Sequence, residues 1–184
     1  VKVLISLYSN KGNVILDPFS GSGVVPLESA LMGRVAYAND LSPYAYVLTR
    51  GKLDTHAVKR DIIQQAEKLL DEIKKLSPST KTDDVPEWVV EFFHPQTLQE
   101  ILVAFQLLRE QQNYFLLSCL LGILHHQRPG FLSYPASHLV PYLRKSKFPP
   151  VIAKSALLFF IVSSGNEVIW SPQTAIFISG NFSL

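Results

Sequence analysis

The ten residues Val14-Ile15-Leu16-Asp17-Pro18-Phe19-Ser20-Gly21-Ser22-Gly23 constrain the fold more than any other stretch of the chain. Three aliphatic residues, two of them β-branched, have the pattern of a short strand, and Asp17-Pro18 ends it. A small-residue turn with two glycines follows, and Val24 to Met32 then reads as a helix. Strand, glycine turn and helix N-terminus make up the first βα unit of a nucleotide-type binding fold. Gly21 and Gly23 allow a ligand to approach the backbone closely, and N–H groups at the helix start can receive polar atoms. Taken alone, the turn is equally compatible with a purely structural role.

The following residues favour a ligand. Residues 35–39 read as a second strand, with Asn39-Asp40 at its end. Asp40 lies 17 residues after Gly23, close to the spacing of about 20 for an acidic residue that holds ribose hydroxyls. Leu41-Ser42-Pro43-Tyr44-Ala45 then starts another helix, with Ser42 as the expected N-cap and Pro43 in the first helical position. A helix cap with a solvated Asp is the competing structural explanation.

Asp17-Pro18-Phe19-Ser20-Gly21-Ser22-Gly23 resembles the DPFxGSG motif of S-adenosylmethionine-dependent DNA amino-methyltransferases, which methylate adenine N6 or cytosine N4. Asn39-Asp40-Leu41-Ser42-Pro43-Tyr44-Ala45 is similar to their second motif. No third glycine follows Gly21-Ser22-Gly23, which argues against NAD or FAD. The resemblance is strong over about residues 12–53 and looser to about residue 145. It implies that Asp17, Phe19, Ser20, Gly21, Ser22 and Gly23 surround the methionine part of S-adenosylmethionine. It further implies that Asp40 takes the ribose hydroxyls and that Leu41 flanks the adenine. The implied partner is DNA. An RNA N2-guanine methyltransferase is one alternative, since the same cofactor unit serves RNA, and a non-catalytic binding or interaction module is another.

The expected fold class is α/β: a partial Rossmann-like class I methyltransferase unit with a helical insertion. Residues 1–55 are expected to form the S-adenosylmethionine-binding βαβα unit, opened by a helix over residues 1–12. Residues 56–147 are expected to be helical. His56 to Leu76 carries Ile62, Ile63, Ala66, Leu69, Leu70, Ile73 and Leu76 at three- and four-residue spacing. Pro95 to Gln111 repeats that pattern, and Tyr114 to His125 is apolar on nearly all sides. Residues 148–184 are a tail that could retain part of a catalytic strand region, with strands near 167–170 and 175–179.

The catalytic chemistry is less legible. The family carries a further motif, Asp/Asn/Ser-Pro-Pro-aromatic, whose polar residue accepts hydrogen bonds from the target amino group while the aromatic stacks on a flipped base. No such tetrapeptide is present. The nearest stretch is Ser171-Pro172-Gln173-Thr174, so Ser171 and Pro172 are the candidates, without a stacking ring. The chain alone is therefore expected to be inactive, either as a fragment whose catalytic motif lies on a second chain or segment, or as a degenerate member whose last stretch has diverged and lost the catalytic strand.

Charge adds a signal for nucleic acid. Residues 1–112 have a net charge of −2 and residues 113–184 a net charge of +4. Arg128, Arg144, Lys145 and Lys147 lie among tyrosines and histidines, a mixture suited to phosphate attraction with base stacking or to an ordinary solvated surface. His125 and His126 are adjacent, point in different directions on a helix, and make a poor metal pair, so no metal is expected. The single cysteine, Cys119, sits in an apolar run, which excludes an internal disulfide and favours a core role. The start has no signal-peptide pattern and no initiator Met, as a chain beginning inside a longer protein would. The longest apolar run, Ala156 to Val162, is far below the ~20 residues of a membrane span. A reducing, cytoplasmic setting is the resulting expectation.

Overall fold

The computed structural model describes residues 1–53, 59–90, 93–124 and 175–177. The chain divides into two compact units, Val1–His56 with Val168–Leu184, and Ala57–Glu167.

The first unit is built on a parallel sheet in the order β1-β2-β3, formed by Val14–Asp17, Val35–Ala38 and Ala175–Phe177. β1 pairs with β2 from Val14↔Val35 to Asp17↔Ala38, and β2 pairs with β3 from Ala36↔Ala175 to Ala38↔Phe177. The central strand thus alternates as a half-covered strand should, with Ala36 and Ala38 each only 1% exposed. The sheet is parallel because helix α2 (Val24–Leu31) carries the chain back between β1 and β2. It ends in a paired turn, with Gly33 N–H donating to the Ala30 carbonyl and Arg34 N–H to that of Ser29, both at 2.9 Å. Helix α3 (Pro43–Leu53) packs on α2 and buries Ala45, Thr49 and Leu53, one residue per turn. Helix α1 (Lys2–Tyr8) buries only Ile5.

The second unit is helical: α4 (Lys59–Leu76), a short 3₁₀ turn at Ser77–Ser79, α5 (Glu87–Val90), α6 (Pro95–Glu110) and α7 (Tyr114–Leu124). Helix α6 packs against both α4 and α7. The predicted stripe of α4 is borne out by buried Ala66, Leu69, Leu70 and Ile73, while Leu76 is 46% exposed where the helix gives way to the 3₁₀ turn. Leu108 on α6 is fully buried, as are Leu116, Cys119, Leu120 and Ile123 on α7 to within 2%. His94 caps α6, its Nδ1 accepting from Gln96 N–H at 3.3 Å, and Asn113 Oδ1 caps α7 through Leu116 N–H at 3.1 Å.

Most strands and helices keep their predicted bounds to within about a residue, but α1 covers Lys2–Tyr8 rather than the expected 1–12. Asn39 lies just beyond β2, and its N–H, donating to the Asp17 carbonyl at 2.9 Å, makes the last rung between β1 and β2. Among the described residues the architecture is helix-rich α/β with a small parallel sheet, consistent with part of a methyltransferase fold. Among them, no helix is long and apolar enough to cross a membrane. The strand expected at 167–170 lies outside the described residues.

Candidate cofactor site

Parallel pairing places the C-terminal ends of β1 and β2 side by side, and ligands of open parallel sheets bind beyond that edge. Two loops leave it: Pro18 to Gly23 after β1, and Asn39 to Ser42 after β2. They are tied by three hydrogen bonds. Ser20 N–H donates to the Asn39 carbonyl at 2.9 Å, the Asn39 side-chain amide to the Pro18 carbonyl at 3.3 Å, and Gly21 N–H to Asp40 Oδ2 at 2.8 Å.

Asp40 is the hub of this arrangement. Its other oxygen, Oδ1, accepts Ser42 N–H at 2.9 Å and so caps the turn into α3. The N–H groups of Ser42, then Gly21, then Leu41 favour the charged carboxylate and hold Asp40 below the ordinary aspartate pKa, outweighing a small opposing effect of desolvation. Ser42 also approaches the expected cap geometry, but its Oγ is a long 3.5 Å from Ala45 N–H, so Asp40 shares the capping.

The two glycines have different reasons to be glycine. Both adopt the left-handed region, with φ +50° at Gly21 and +79° at Gly23. A Cβ on Gly21 would meet nothing within 4 Å, so its face is open. On Gly23 it would lie 2.7 Å from Thr49 Oγ1 and 2.9 Å from Thr49 Cα. Close approach at Gly23 is thus to the chain's own α3. Thr49 Oγ1, 3.4 Å from the Gly21 carbonyl, donates to it, and Lys52 Nζ donates to the Ser22 carbonyl. Partial burial lowers the Lys52 pKa.

The remaining predicted cofactor residues surround this loop. Asp17 ends β1 and its Oδ1 accepts Phe19 N–H at 3.3 Å. Ser20 is buried and its Oγ has no hydrogen-bond partner among the described residues. Phe19 and Leu41 are 86% and 81% exposed, leaving two large apolar side chains on the solvent side of the two loops. Thr49 and Lys52 were not singled out in the sequence. The signal available was a polar residue, Thr49, within the buried spacing Ala45, Thr49, Leu53. The catalytic candidates Ser171 and Pro172, the basic residues Arg128, Arg144, Lys145 and Lys147, and His125 and His126 lie outside the described residues.

Glycine loops at the edge of a parallel sheet, with an acidic residue from the neighbouring strand, recur in nucleotide-type binding proteins. Residues 1–88 match the family model for D12 class N6 adenine-specific DNA methyltransferase. The stretch that carries both loops is thus similar to the corresponding part of DNA adenine methyltransferases. The match specifies adenine where the sequence motifs left adenine and cytosine open, and it lends no support to an RNA substrate or a non-catalytic module. Comparison with curated proteins and with solved structures gives no match.

Proposed function

We propose that this chain binds S-adenosylmethionine as the cofactor-binding part of a DNA adenine-N6 methyltransferase with a Rossmann-like sheet. The observation that carries the reading is the junction of the two loops, with Asp40 joined to Gly21 beside an open backbone face. The donor set suits the cofactor. Asp40 is a charged acceptor for a ribose diol, exposed Leu41 offers apolar surface to an adenine, and exposed Phe19 lies beside the turn that would take the methionine part. Bound S-adenosylmethionine would supply an electrophilic methyl group on a sulfonium.

For transfer, the target nitrogen must also be held in line with that methyl group, and such positioning is worth about 7–11 kcal/mol of a barrier. Pro149-Pro150 is the chain's one Pro-Pro pair, but Phe148 precedes it and Val151 follows, so it lacks both the polar acceptor and the stacking ring. Ser171-Pro172-Gln173-Thr174 lacks the ring as well. The chain alone is therefore a cofactor binder without turnover, and a second chain or segment supplies the acceptor and the aromatic platform. DNA is the partner, and Arg128, Arg144, Lys145 and Lys147 are its proposed phosphate contacts.

Calorimetric titration of the full chain with S-adenosylmethionine and, separately, with NAD tests the reading. Saturable binding of the first and not of the second is expected. Preference for NAD, or binding of neither, overturns it.

A further inference from the structure

We propose that Thr49 and Lys52 on α3 are positioning residues that set the direction of the backbone N–H groups in the Gly21-Ser22-Gly23 turn. The inference rests on the cofactor reading above for its function, though not for its geometry. A peptide unit is planar and trans, so a carbonyl held on one side turns the attached N–H to the other. Thr49 Oγ1 takes the Gly21 carbonyl, which belongs to the same peptide as Ser22 N–H. That N–H is thereby directed away from Thr49, and it has no hydrogen-bond partner among the described residues. Lys52 takes the Ser22 carbonyl, and the coupled Gly23 N–H returns to the Ser20 carbonyl at 2.8 Å.

The two α3 residues thus fix consecutive peptides of the turn. Thr49 is wholly buried and packs tightly against Gly23 at the start of α2, so its hydroxyl has little freedom to look elsewhere. The expected result is one donor, Ser22 N–H, left for a polar atom of the bound ligand. Asp40 holds the same turn from the opposite loop through Gly21 N–H. Preorganised donors of this kind bind without a further ordering cost.

Substitutions in the full chain separate hydrogen bonding from packing. Thr49→Val removes the hydroxyl and keeps the branched shape, whereas Thr49→Ser keeps the hydroxyl and removes the methyl. In ligand-free protein, amide exchange at Gly21 and Gly23 is expected to rise about three- to tenfold in Thr49→Val and to stay within about twofold in Thr49→Ser. Affinity for S-adenosylmethionine should follow the same order. Lys52→Met, at a more exposed site, should act like Thr49→Val, and Lys52→Arg should retain wild-type behaviour. A packing role predicts the reverse order at Thr49, and that order, or unchanged exchange in both Thr49→Val and Lys52→Met, overturns the proposal. A wild-type chain that does not bind S-adenosylmethionine refutes the cofactor reading, while the exchange rates still decide whether α3 orders the turn.

Discussion

The Asp40 carboxylate accepts the Gly21 N–H at 2.8 Å across 19 residues of sequence, joining the acidic end of one strand to the glycine turn after its neighbour. The residue expected to meet a ribose also shapes the loop that would hold the rest of the cofactor. Loss of Asp40 should therefore act twice, on the ligand contact and on the turn.

Asp40→Ala should weaken S-adenosylmethionine binding by about ten- to a hundredfold, as for loss of hydrogen bonds to a charged group. Asp40→Asn should retain part of the affinity, because its amide oxygen can still accept. Titration of the three proteins decides the matter, and equal affinities would remove Asp40 from the site.

The same carboxylate predicts a pH dependence. Its folded pKa is depressed, first by Ser42 N–H and then by Gly21 N–H. The stabilising contribution is present above the unfolded aspartate pKa, near 3.9, and disappears as pH falls through the lower folded value. Gly21 amide protection should be insensitive to Asp40 titration above about pH 5 and should fall below about pH 4. A transition centred near neutrality would point to another group.

The two glycines of the turn should respond unequally to a methyl group. Gly21→Ala meets open space and bears only left-handed backbone strain, about 1–2 kcal/mol. Gly23→Ala adds a collision with Thr49 Cα, an atom no rotamer change can move, for a total of about 2–4 kcal/mol. Urea denaturation should rank Gly23→Ala as the less stable, and equal losses would contradict the close approach of α2 and α3.

In the helical unit, Leu108→Ala should cost about 2–5 kcal/mol, because Leu108 is fully buried on the helix that packs against both α4 and α7. Phe105, 38% exposed on the same helix, should lose less on substitution by Ala. Thermal melts of the two variants provide the comparison.

Cys119 should be inert. Burial pushes its thiol up to about 12, with a smaller opposing effect from the hydrogen bond to Ser118. Native protein should react with a maleimide far more slowly than protein in urea. Its effect on stability is constant below about pH 8.5 and is lost as pH rises toward the folded value, since only the unfolded thiol ionises readily there.

Methyl transfer gives the final test. The full chain with radiolabelled S-adenosylmethionine and mixed genomic DNA should incorporate no label. Incorporation that is lost in Ser171→Ala would instead make Ser171-Pro172-Gln173-Thr174 a working variant of the missing motif.

Local chemistry made much of this molecule legible before any coordinates. Spacing of apolar residues at three and four located α4 and α6, a run apolar on nearly all sides located α7, and the β-branched run before Asp17 located β1. The DPFxGSG stretch and Asp40 marked the two loops that meet at the sheet edge, and residues 1–88 match the model of the family that they resemble. These features were readable because each is encoded within one helix, strand or turn. Tertiary structure alone decided that β3 joins β2 from a point more than a hundred residues later, that Asp40 holds Gly21, and that Thr49 is the reason Gly23 has no side chain. Each of these depends on segments distant in sequence meeting within a few ångströms. Periodicity records which face of an element is buried, but it carries no record of the partner that buries it.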